Sequence, residues 1–188
     1  RTSPWRRGRG AQGQRRQRTR QGTDLNAEME LTLNDVFYGT TKQVTINGQK
    51  VNLKVKPGLR EGQILRMKGK GSPGTGGGIS GDLHITVRLA KDPLFERRGD
   101  DLYFDQSLDV ITAILGGKAS ISGFDKTVSM DIPAGTDSNK VFRLKGMGVS
   151  NYDDPSVRGD AYVRMVINVP KELTEAERKL LEEFQSLR

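Results

Sequence analysis

Residues 64–71 read "ILRMKGKG", and residues 141–148 read "VFRLKGMG". Both segments place an arginine, a lysine and two glycines at the same spacing. Such an echo has two explanations: a glycine-rich phosphate-binding loop used twice, or one structural unit built twice. The matching positions are Arg66 with Arg143, Lys68 with Lys145, Gly69 with Gly146, and Gly71 with Gly148.

The residues that follow the first segment argue against phosphate binding. Gly69, Gly71 and Gly74 match the spacing G-x-G-x-x-G, but a dinucleotide site needs this loop to lead directly into a helix. Here Pro73 is followed by "GTGGGISGD", which leads into a strand-like segment, and the second copy lacks the third glycine. The glycines are therefore predicted to serve backbone turns.

The flanking segments have the pattern of half-buried strands. "AEMELTL" at 27–33 and "DLHITVRL" at 82–89 alternate apolar and polar residues. Between them, "KQVTI" and "QKVNLKV" flank Asn47-Gly48, a strong hairpin signal. The predicted inward residues are Ala27, Met29, Leu31, Leu33, Leu83, Ile85, Val87 and Leu89.

The second half of the chain repeats this order. "DLYFDQSLDV" at 101–110 repeats the first strand, with Leu102, Phe104, Leu108 and Val110 on its apolar side. "NDVFYGT" and "ITAILGG" each predict one helical turn, stopped at Gly39 or Gly116. The predicted fold class is therefore mostly β, with two tandem small β-sandwich or barrel-like subdomains that arose by internal duplication.

The positive charge of the chain is confined to its amino-terminal tail. The formal net charge is +8, and residues 1–22 hold eight arginines and no acidic residue, so the remainder is neutral. Residues 1–23 are predicted to be a disordered Gly/Arg-rich linker. A solvated linker and an anion-seeking arm both remain open, and the candidate anion or nucleic-acid contacts are Arg6, Arg7, Arg15, Arg16 and Arg18.

The amino-acid composition gives little support to an enzymatic function. The sequence has no cysteine, which excludes disulfides, thiolate metal sites and thiol nucleophiles. His84 is the single histidine, and strand alternation places it on a polar face. We therefore predict no catalytic site, no metal and no cofactor. No apolar run is long enough for a membrane span, and we expect a cytoplasmic protein with no membrane partner.

The carboxyl end predicts an amphipathic helix. In "LTEAERKLLEEFQSLR" at 173–188, Thr174 and Glu177 form the sequence pattern of a capping box. Residues 171–188 are predicted to form a dimerisation helix, because an apolar stripe beyond the last repeat suits self-association. The candidate dimerisation residues are Leu180, Leu181, Phe184 and Leu187.

Together these segments resemble the carboxyl-terminal client-binding region of DnaJ-type co-chaperones, in the class without a zinc-binding module. The likeness is greatest to bacterial relatives of the curved-DNA-binding-protein type, and it covers residues 24–188. The histidine-proline-aspartate signature of a J domain is missing, so the chain is expected to begin inside the linker that follows one. The resemblance is carried by "LTLNDVFYGTTKQVTI", "VKPGLREGQILRMKGKG", "GDLHITVRLAKDPLFERRGDDLYF", "AILGG", "IPAGTDSNKVFRLKGMG" and "RGDAYVRMVINVP".

The resemblance implies a first subdomain at 24–95 that binds clients, a second at 96–170, and a V-shaped homodimer joined by the terminal helix. It places a client-peptide groove between the first two strands of the first subdomain. Lys42 would stand at the rim, where it could also pair with the acidic tail of a partner chaperone. Without the resemblance, the apolar members would be assigned to the core. The implied groove residues are Ala27, Met29, Lys42, Val44, Ile46 and Phe95.

The expected function follows from this resemblance. A co-chaperone fragment would bind unfolded client segments by β-strand addition and transfer them to a DnaK-type ATPase. The alternative is a nucleic-acid-binding protein that contacts curved DNA through its arginine-rich tail.

Overall fold

The computed structural model describes residues 19–46 and 48–188, without the side chains of Ile46 and Gln49. Strands and three short helices alternate along this part of the chain. Each half repeats the order strand, helix, hairpin, short strand and long strand. The elements are β1 (Leu25–Leu31), α1 (Leu33–Tyr38), β2 (Thr40–Ile46), β3 (Gln49–Val55), β4 (Ile64–Met67), β5 (Leu83–Leu89), β6 (Phe95–Arg98), β7 (Asp101–Asp109), α2 (Val110–Leu115), β8 (Gly117–Ser122), β9 (Thr127–Ile132), β10 (Val141–Leu144), β11 (Ala161–Asn168) and α3 (Glu175–Ser186).

Each half forms one sheet and one separate hairpin. In the first, the sheet order is β1-β5-β4 and β2 pairs with β3. In the second, the order is β10-β11-β7-β6 and β8 pairs with β9. The central pairs β1–β5 and β7–β11 are both parallel, with Leu25 opposite Leu83 and Leu102 opposite Ala161. The predicted fold class, mostly β and duplicated, is confirmed.

The first strand ends earlier than its alternation predicts. Leu33 was expected on the inward face of a strand, but β1 ends at Leu31 and Leu33 begins α1. The reason is a capping box: the Thr32 hydroxyl accepts from the Asp35 N–H at 3.2 Å, and the Asp35 carboxylate accepts from the Thr32 N–H at 2.9 Å. Leu33 is nevertheless buried, because α1 packs on the same core.

The repeated Arg-x-Lys-Gly segment closes each subdomain through one aspartate. Arg66 Nε donates to Asp82 Oδ2 at 2.7 Å, and the Gly69 N–H donates to Asp82 Oδ1 at 2.8 Å. The second copy repeats the ion pair between Arg143 and Asp160, at 2.6 Å. The main-chain N–H and the arginine together hold the pKa of each aspartate below its ordinary value. The repeated segments at 64–71 and 141–148 thus belong to one structural unit that occurs twice.

The glycines of this segment shape the backbone, as predicted. Gly69 has φ +67°, in the left-handed region that favours glycine. Gly71 is buried, and a Cβ atom there would lie 2.6 Å from the main chain at Gly81. Both glycines therefore allow a turn and a close backbone approach.

Alternating apolar residues of the two sheets form the core together with residues of the hairpins, α1 and α2. Leu31, Ile85 and Val87 are buried in the first subdomain, and Leu102, Val163 and Met165 in the second. This burial supplies most of the stability of both subdomains.

Aromatic and arginine side chains join the two subdomains. The Phe37 ring of α1 lies 4.7 Å from the Phe124 ring, between centroids, and the Arg158 guanidinium lies 5.0 Å from the Phe37 ring. Arg97 of β6 donates to the main-chain oxygen of Leu59 at 2.6 Å. The two subdomains are therefore in direct contact rather than connected only by a flexible linker.

The expected boundary after Phe95 needs correction, because Phe95 opens β6 and β6 pairs antiparallel with β7. The strand at Phe95–Arg98 therefore belongs to the sheet of the second subdomain. Gly99, with φ +65°, makes the tight turn that joins the two strands.

The amino-terminal boundary also lies earlier than residue 24. Arg20 forms an antiparallel bridge with Thr75, and the Gly22 N–H donates to Ile79 O at 2.9 Å. The last residues of the expected linker are therefore tied to the glycine-rich loop of the first subdomain. The candidate anion-contacting arginines, Arg6, Arg7, Arg15, Arg16 and Arg18, lie outside the described residues.

The terminal helix α3 forms as predicted. Thr174 caps it, accepting from the Glu177 N–H at 3.3 Å while Glu177 accepts from the Thr174 N–H at 2.7 Å. No residue of α3 is buried. Neither α3 nor any other helix in the described ranges has the length and apolar character required to cross a bilayer.

Candidate functional site

Two strands of the first subdomain each keep one edge without a partner strand. β1 is the end strand of its sheet, and β2 pairs only with β3 in the described part of the chain. Unpaired strand edges present a row of free N–H and C=O groups, which can pair with another extended chain. These two edges are the candidate site.

The hydrogen-bond pattern shows which main-chain groups of β1 are free. The Leu25 N–H donates to Asp82 O at 2.8 Å, and Leu31 O accepts from the Ala90 N–H at 2.8 Å. In a parallel pair, alternate residues direct both groups to the same neighbour. The residues that alternate with those hydrogen-bonded to β5 therefore direct their main-chain groups away from β5. They are Asn26, Glu28 and Glu30.

The same reasoning applies to the hairpin. Ile46 lies opposite Gln49 across its turn, and residues that flank a two-residue turn form a hydrogen-bonded pair. Alternation along β2 then leaves the main-chain groups of Thr41, Gln43 and Thr45 directed away from β3. Each edge thus offers three N–H groups and three C=O groups.

The apolar residues expected in the groove differ in burial. Met29 is only 8% exposed and belongs to the core. Ala27 and Val44 are half-buried and pack against that core, so part of each remains accessible. Ile46 lies in β2, and its side chain is outside the described part of the structure. The core interpretation thus fits Met29 best, and the partly exposed pair fits a shallow apolar floor.

Lys42, expected at the groove rim, forms an ion pair. Its Nζ lies 2.9 Å from Asp35 Oδ2, the carboxylate that also caps α1. Partial burial raises the pKa of Asp35, but the Thr32 N–H and Lys42 outweigh this and hold that pKa below its ordinary value. The Lys42 side chain is 41% exposed, so the ammonium also faces solvent.

Phe95 lies at the junction between the subdomains. Its ring is 4.9 Å from the Phe104 ring and 5.2 Å from the Phe124 ring, between centroids. It also lines a cavity of about 470 Å³ together with Leu33 and Leu89. The structure therefore brings Phe95 together with aromatic residues of the second subdomain.

The duplication supplies an internal comparison for the free edge of β1. β7 is the equivalent of β1, since both pair in parallel with the last long strand of their copy. On β7 the first part of the corresponding edge, Asp101–Phe104, is paired with β6, with Glu96 opposite Tyr103 and Arg98 opposite Asp101. Gln106, the equivalent of Met29, accepts from the Ser122 N–H of β8 at 3.3 Å.

Sequence reasoning missed this difference between the copies. The signal was present in Gly99-Asp100, which stands between two strand-like segments as a hairpin turn would. Equivalent strands thus have a free edge in the first copy and, in the second, an edge that β6 pairs over Asp101–Phe104.

The four candidate dimerisation residues are all exposed in a single chain. Leu180 is 67% exposed and Leu187 79%, with Leu181 and Phe184 near half. Leu187 follows the helix as its C-cap rather than lying within it. No group of three or more acidic or histidine side chains in the described ranges is placed to hold a metal ion.

The architecture is that of a tandem β repeat that ends in an exposed amphipathic helix. Residues 25–170 match the DnaJ C terminal domain family, and the chain belongs to this family.

Its relatives are chaperones by name. The chain is similar to "Chaperone protein DnaJ 2" of Thermus thermophilus, with 36% identity over 163 residues that cover 87% of this chain and 56% of the relative. It is also similar to "Chaperone protein DnaJ" of Clostridium tetani, at 39% identity over 71% of this chain and 35% of the relative. The protein of the same name from Polaromonas naphthalenivorans is 40% identical, over 74% of this chain and 37% of the relative. The chain thus spans between about a third and just over half of these relatives.

Proposed function

We propose that this chain is the client-binding part of a co-chaperone, which holds unfolded polypeptide segments by β-strand addition. The observation that carries the proposal is the pair of free edges on β1 and β2. An extended segment that enters the groove between these strands extends one sheet through main-chain hydrogen bonds. Such bonds are independent of client sequence, which suits a chaperone.

Side chains beside the free edges make a second, weaker contribution to client binding. Ala27 and Val44 leave apolar surface partly exposed beside the free edges. A client segment with alternating apolar residues can place one set of side chains on this surface while its backbone pairs. Unfolded segments rich in apolar residues are therefore preferred over polar ones.

The β2–β3 hairpin gives the site a basic border. Lys50 and Lys54 are exposed on the hairpin, and no acidic residue occurs between positions 36 and 60. An acidic segment of a DnaK-type ATPase would be attracted to this border and would compete with Asp35 for Lys42. This pairing supplies a route by which the partner chaperone meets a bound client.

Self-association completes the proposal. The exposed apolar stripe of α3 joins two chains, which presents two client sites to one substrate. Two weak sites on a dimer hold an extended client more firmly than one. The cytoplasm is the proposed location. No observation in the described residues favours the DNA-binding alternative, whose arginines lie outside them.

Amide hydrogen exchange of the full chain tests the proposal, with an apolar, extended model peptide as probe. We expect new protection at the outward amides of one free edge, either Asn26, Glu28 and Glu30 or Thr41, Gln43 and Thr45. The Tyr103 amide is the matched control, because Tyr103 is already paired with Glu96 of β6. The same chain should slow the aggregation of a denatured client. Protection confined to the second subdomain, or absent at saturating peptide, would contradict the proposed site.

A further inference from the structure

The chain enters the two subdomains through the same short sequence. Residues 20–25 read "RQGTDL", and residues 97–102 read "RRGDDL". This alignment matches Gly22 with Gly99 and Asp24 with Asp101, so the repeat extends upstream of β1 and β7. The residues before Gly22 are therefore the counterpart of β6, which lies directly before Gly99.

Both entry segments make the same bonds around the aspartate. The Asp82 N–H donates to Asp24 Oδ1 at 2.7 Å, and the Asp160 N–H donates to Asp101 Oδ1 at 2.7 Å. The carbonyl group before each aspartate accepts from the same position of the following loop, at 2.9 Å in the first copy and 2.8 Å in the second. The two copies thus have the same structure up to this carbonyl group.

The two chain paths separate at the glycine. Gly99 has φ +65°, which turns the preceding residues back so that β6 pairs with β7. Gly22 lies outside the left-handed region, and its N–H donates to Ile79 O at 2.9 Å. The residues before Gly22 therefore lie on the loop at 72–80 instead of on β1.

This glycine-rich loop at 72–80, which we call the clasp loop, holds the preceding residues by main-chain bonds. The Arg20 N–H donates to Thr75 O at 3.0 Å, and the Thr75 N–H donates to Arg20 O at 2.9 Å. The Thr19 hydroxyl donates to Gly76 O at 3.2 Å. A Cβ atom at Gly78 would lie 2.0 Å from Arg20 O, so the close approach requires glycine at this position.

The position of these residues leaves the start of the β1 edge open. In the second copy, Glu96 of β6 pairs with Tyr103 of β7. The aligned residues of the first copy are Thr19 and Asn26. Asn26 is exposed and directs its main-chain groups away from β5, while Thr19 is bonded to the clasp loop. Thr19 thus has the register to pair with the edge residue that it leaves free.

We propose that the clasp loop holds residues 19–21 away from β1, and that release of these residues closes the start of the β1 edge as β6 closes that of β7. Rotation of Gly22 into the left-handed region is a sufficient hinge, because glycine adopts that region without steric cost. Closure covers Asn26 and leaves Glu28 and Glu30 free, so it shortens the edge offered to a client. This inference rests on the proposed function, since β1 is one of the two edges proposed for client binding.

The clasped arrangement is the more stable of the two. In the second copy, Phe95 packs on the Phe104 ring, with centroids 4.9 Å apart, and Arg97 donates to Leu59 O at 2.6 Å. Phe104 aligns with Ala27, whose methyl group offers no ring for such packing. A closed first copy would therefore depend on main-chain bonds, and loss of the clasp bonds shifts the population toward it.

Disulfide trapping reports closure directly, because the sequence has no cysteine. Thr19→Cys with Asn26→Cys links two residues that closure brings together, since paired residues of antiparallel strands have Cα atoms within reach of a disulfide. In the full chain under mild oxidation, Gly78→Val should raise the rate of this disulfide about fivefold or more, because the clasp loses two main-chain hydrogen bonds. Ile79→Val is the matched control, because Ile79 is 77% exposed and the change keeps every main-chain group, so the rate should stay the same.

A second pair of variants keeps the test independent of any folding defect at Gly78. Thr75→Pro removes the N–H that donates to Arg20 O, and Thr75→Ala retains it. The proline should accelerate the disulfide as Gly78→Val does, whereas the alanine should not. Unchanged rates in both Gly78→Val and Thr75→Pro would refute the role of the clasp loop.

The register of closure has its own control. Thr19→Cys with Glu30→Cys places the second cysteine at the far end of β1, where closure does not bring the two together. This pair should form little disulfide. Equal yields at Asn26 and Glu30 would show undirected contact and refute the closed arrangement.

Peptide affinity of the closed, disulfide-linked chain separates this inference from the proposed function. A labelled apolar peptide should bind the closed chain more weakly than the reduced chain, with recovery on reduction. Absence of the disulfide in a chain that binds the peptide would refute the closure alone. A closed disulfide with unchanged affinity would uphold the closure and assign the client to β2. A closed disulfide in a chain that binds no peptide in either redox state would refute the proposed function alone.

Discussion

The free edges of β1 and β2 can be blocked one at a time by proline. Glu28 lies at the middle of β1, and its main-chain N–H is directed away from β5. Glu28→Pro therefore removes a donor that the folded chain does not use, which an edge strand tolerates. Gln43→Pro is the corresponding change on β2.

The expected loss can be worked from the number of bonds. Each edge offers three N–H and three C=O groups to an added strand, and a net main-chain hydrogen bond contributes about 0.5–1.5 kcal/mol. The proline removes one donor, and its ring obstructs the adjacent bond. Binding should therefore weaken by about 1–3 kcal/mol, or roughly five- to 150-fold in the dissociation constant.

Fluorescence anisotropy of a labelled apolar peptide measures this loss. Glu28→Ala is the matched control for β1, because it removes the exposed ion pair with Arg88 at 3.1 Å but keeps the main-chain N–H. Gln43→Ala serves β2, where it removes only the side-chain bond to Asn52 at 3.3 Å. Both alanine variants should bind within about twofold of the parent, since such exposed contacts contribute little.

In the proposed mode of binding, one of the two edges accepts the client backbone. Only the proline on that edge should weaken binding, and far-ultraviolet circular dichroism should show both proline variants folded. Unchanged peptide affinity in both folded variants would refute strand addition at this site. Weakening by the alanine variants to the same extent would assign the affinity to side chains.

Three further predictions concern stability and the groove. Arg97→Met should lower the free energy of unfolding by about 3 kcal/mol or more in urea titrations, because it leaves buried carbonyls without a donor. Its exposed neighbour is the control: Arg98→Met should change the free energy of unfolding by about 0.5 kcal/mol or less. The pKa of Asp160 is lowered in the folded chain, so the stability that its carboxylate supplies is present above the ordinary carboxyl pKa of 3.8 and is lost as the pH falls through and below that value. Asp160→Asn should therefore make the free energy of unfolding less dependent on pH in the acid range. An unchanged pH dependence would contradict this. Val44→Asp should weaken peptide binding in a folded chain, and unfolding of the first subdomain by this change would instead assign Val44 to the core.

Local patterns in the sequence were sufficient for most elements of the fold. The alternation of apolar residues identified β1, β5 and β7, and Asn47-Gly48 identified the hairpin between β2 and β3. The end of β1 was misplaced because Leu33 continues the alternation, while Thr32 and Asp35 form a cap with aspartate at the position where glutamate or glutamine is the usual signal.

Pairing between distant segments could not be read from such patterns. The assignment of Phe95 to the first subdomain failed because "LF" follows the last strand of that copy directly, whereas its hydrogen bonds are made with β7 of the next copy. Alternation likewise cannot say whether an apolar strand residue is covered. Met29 and Ala27 occupy the same face of β1, and only the packing of other elements makes one buried and the other accessible.

The occupied edge of β7 constrains how this duplicated protein can change. β6 is held there by its main-chain pairing and by Arg97, so a substitution that improved the proposed strand addition at β1 would have no direct counterpart at Asp101–Phe104 of the other copy. A free edge along the whole of β7 would first require β6 to leave, which would also remove the contacts of Arg97 with the first subdomain. Substitutions along β1 therefore alter only an unpaired edge, whereas substitutions in the paired part of β7 also affect a contact between the two subdomains.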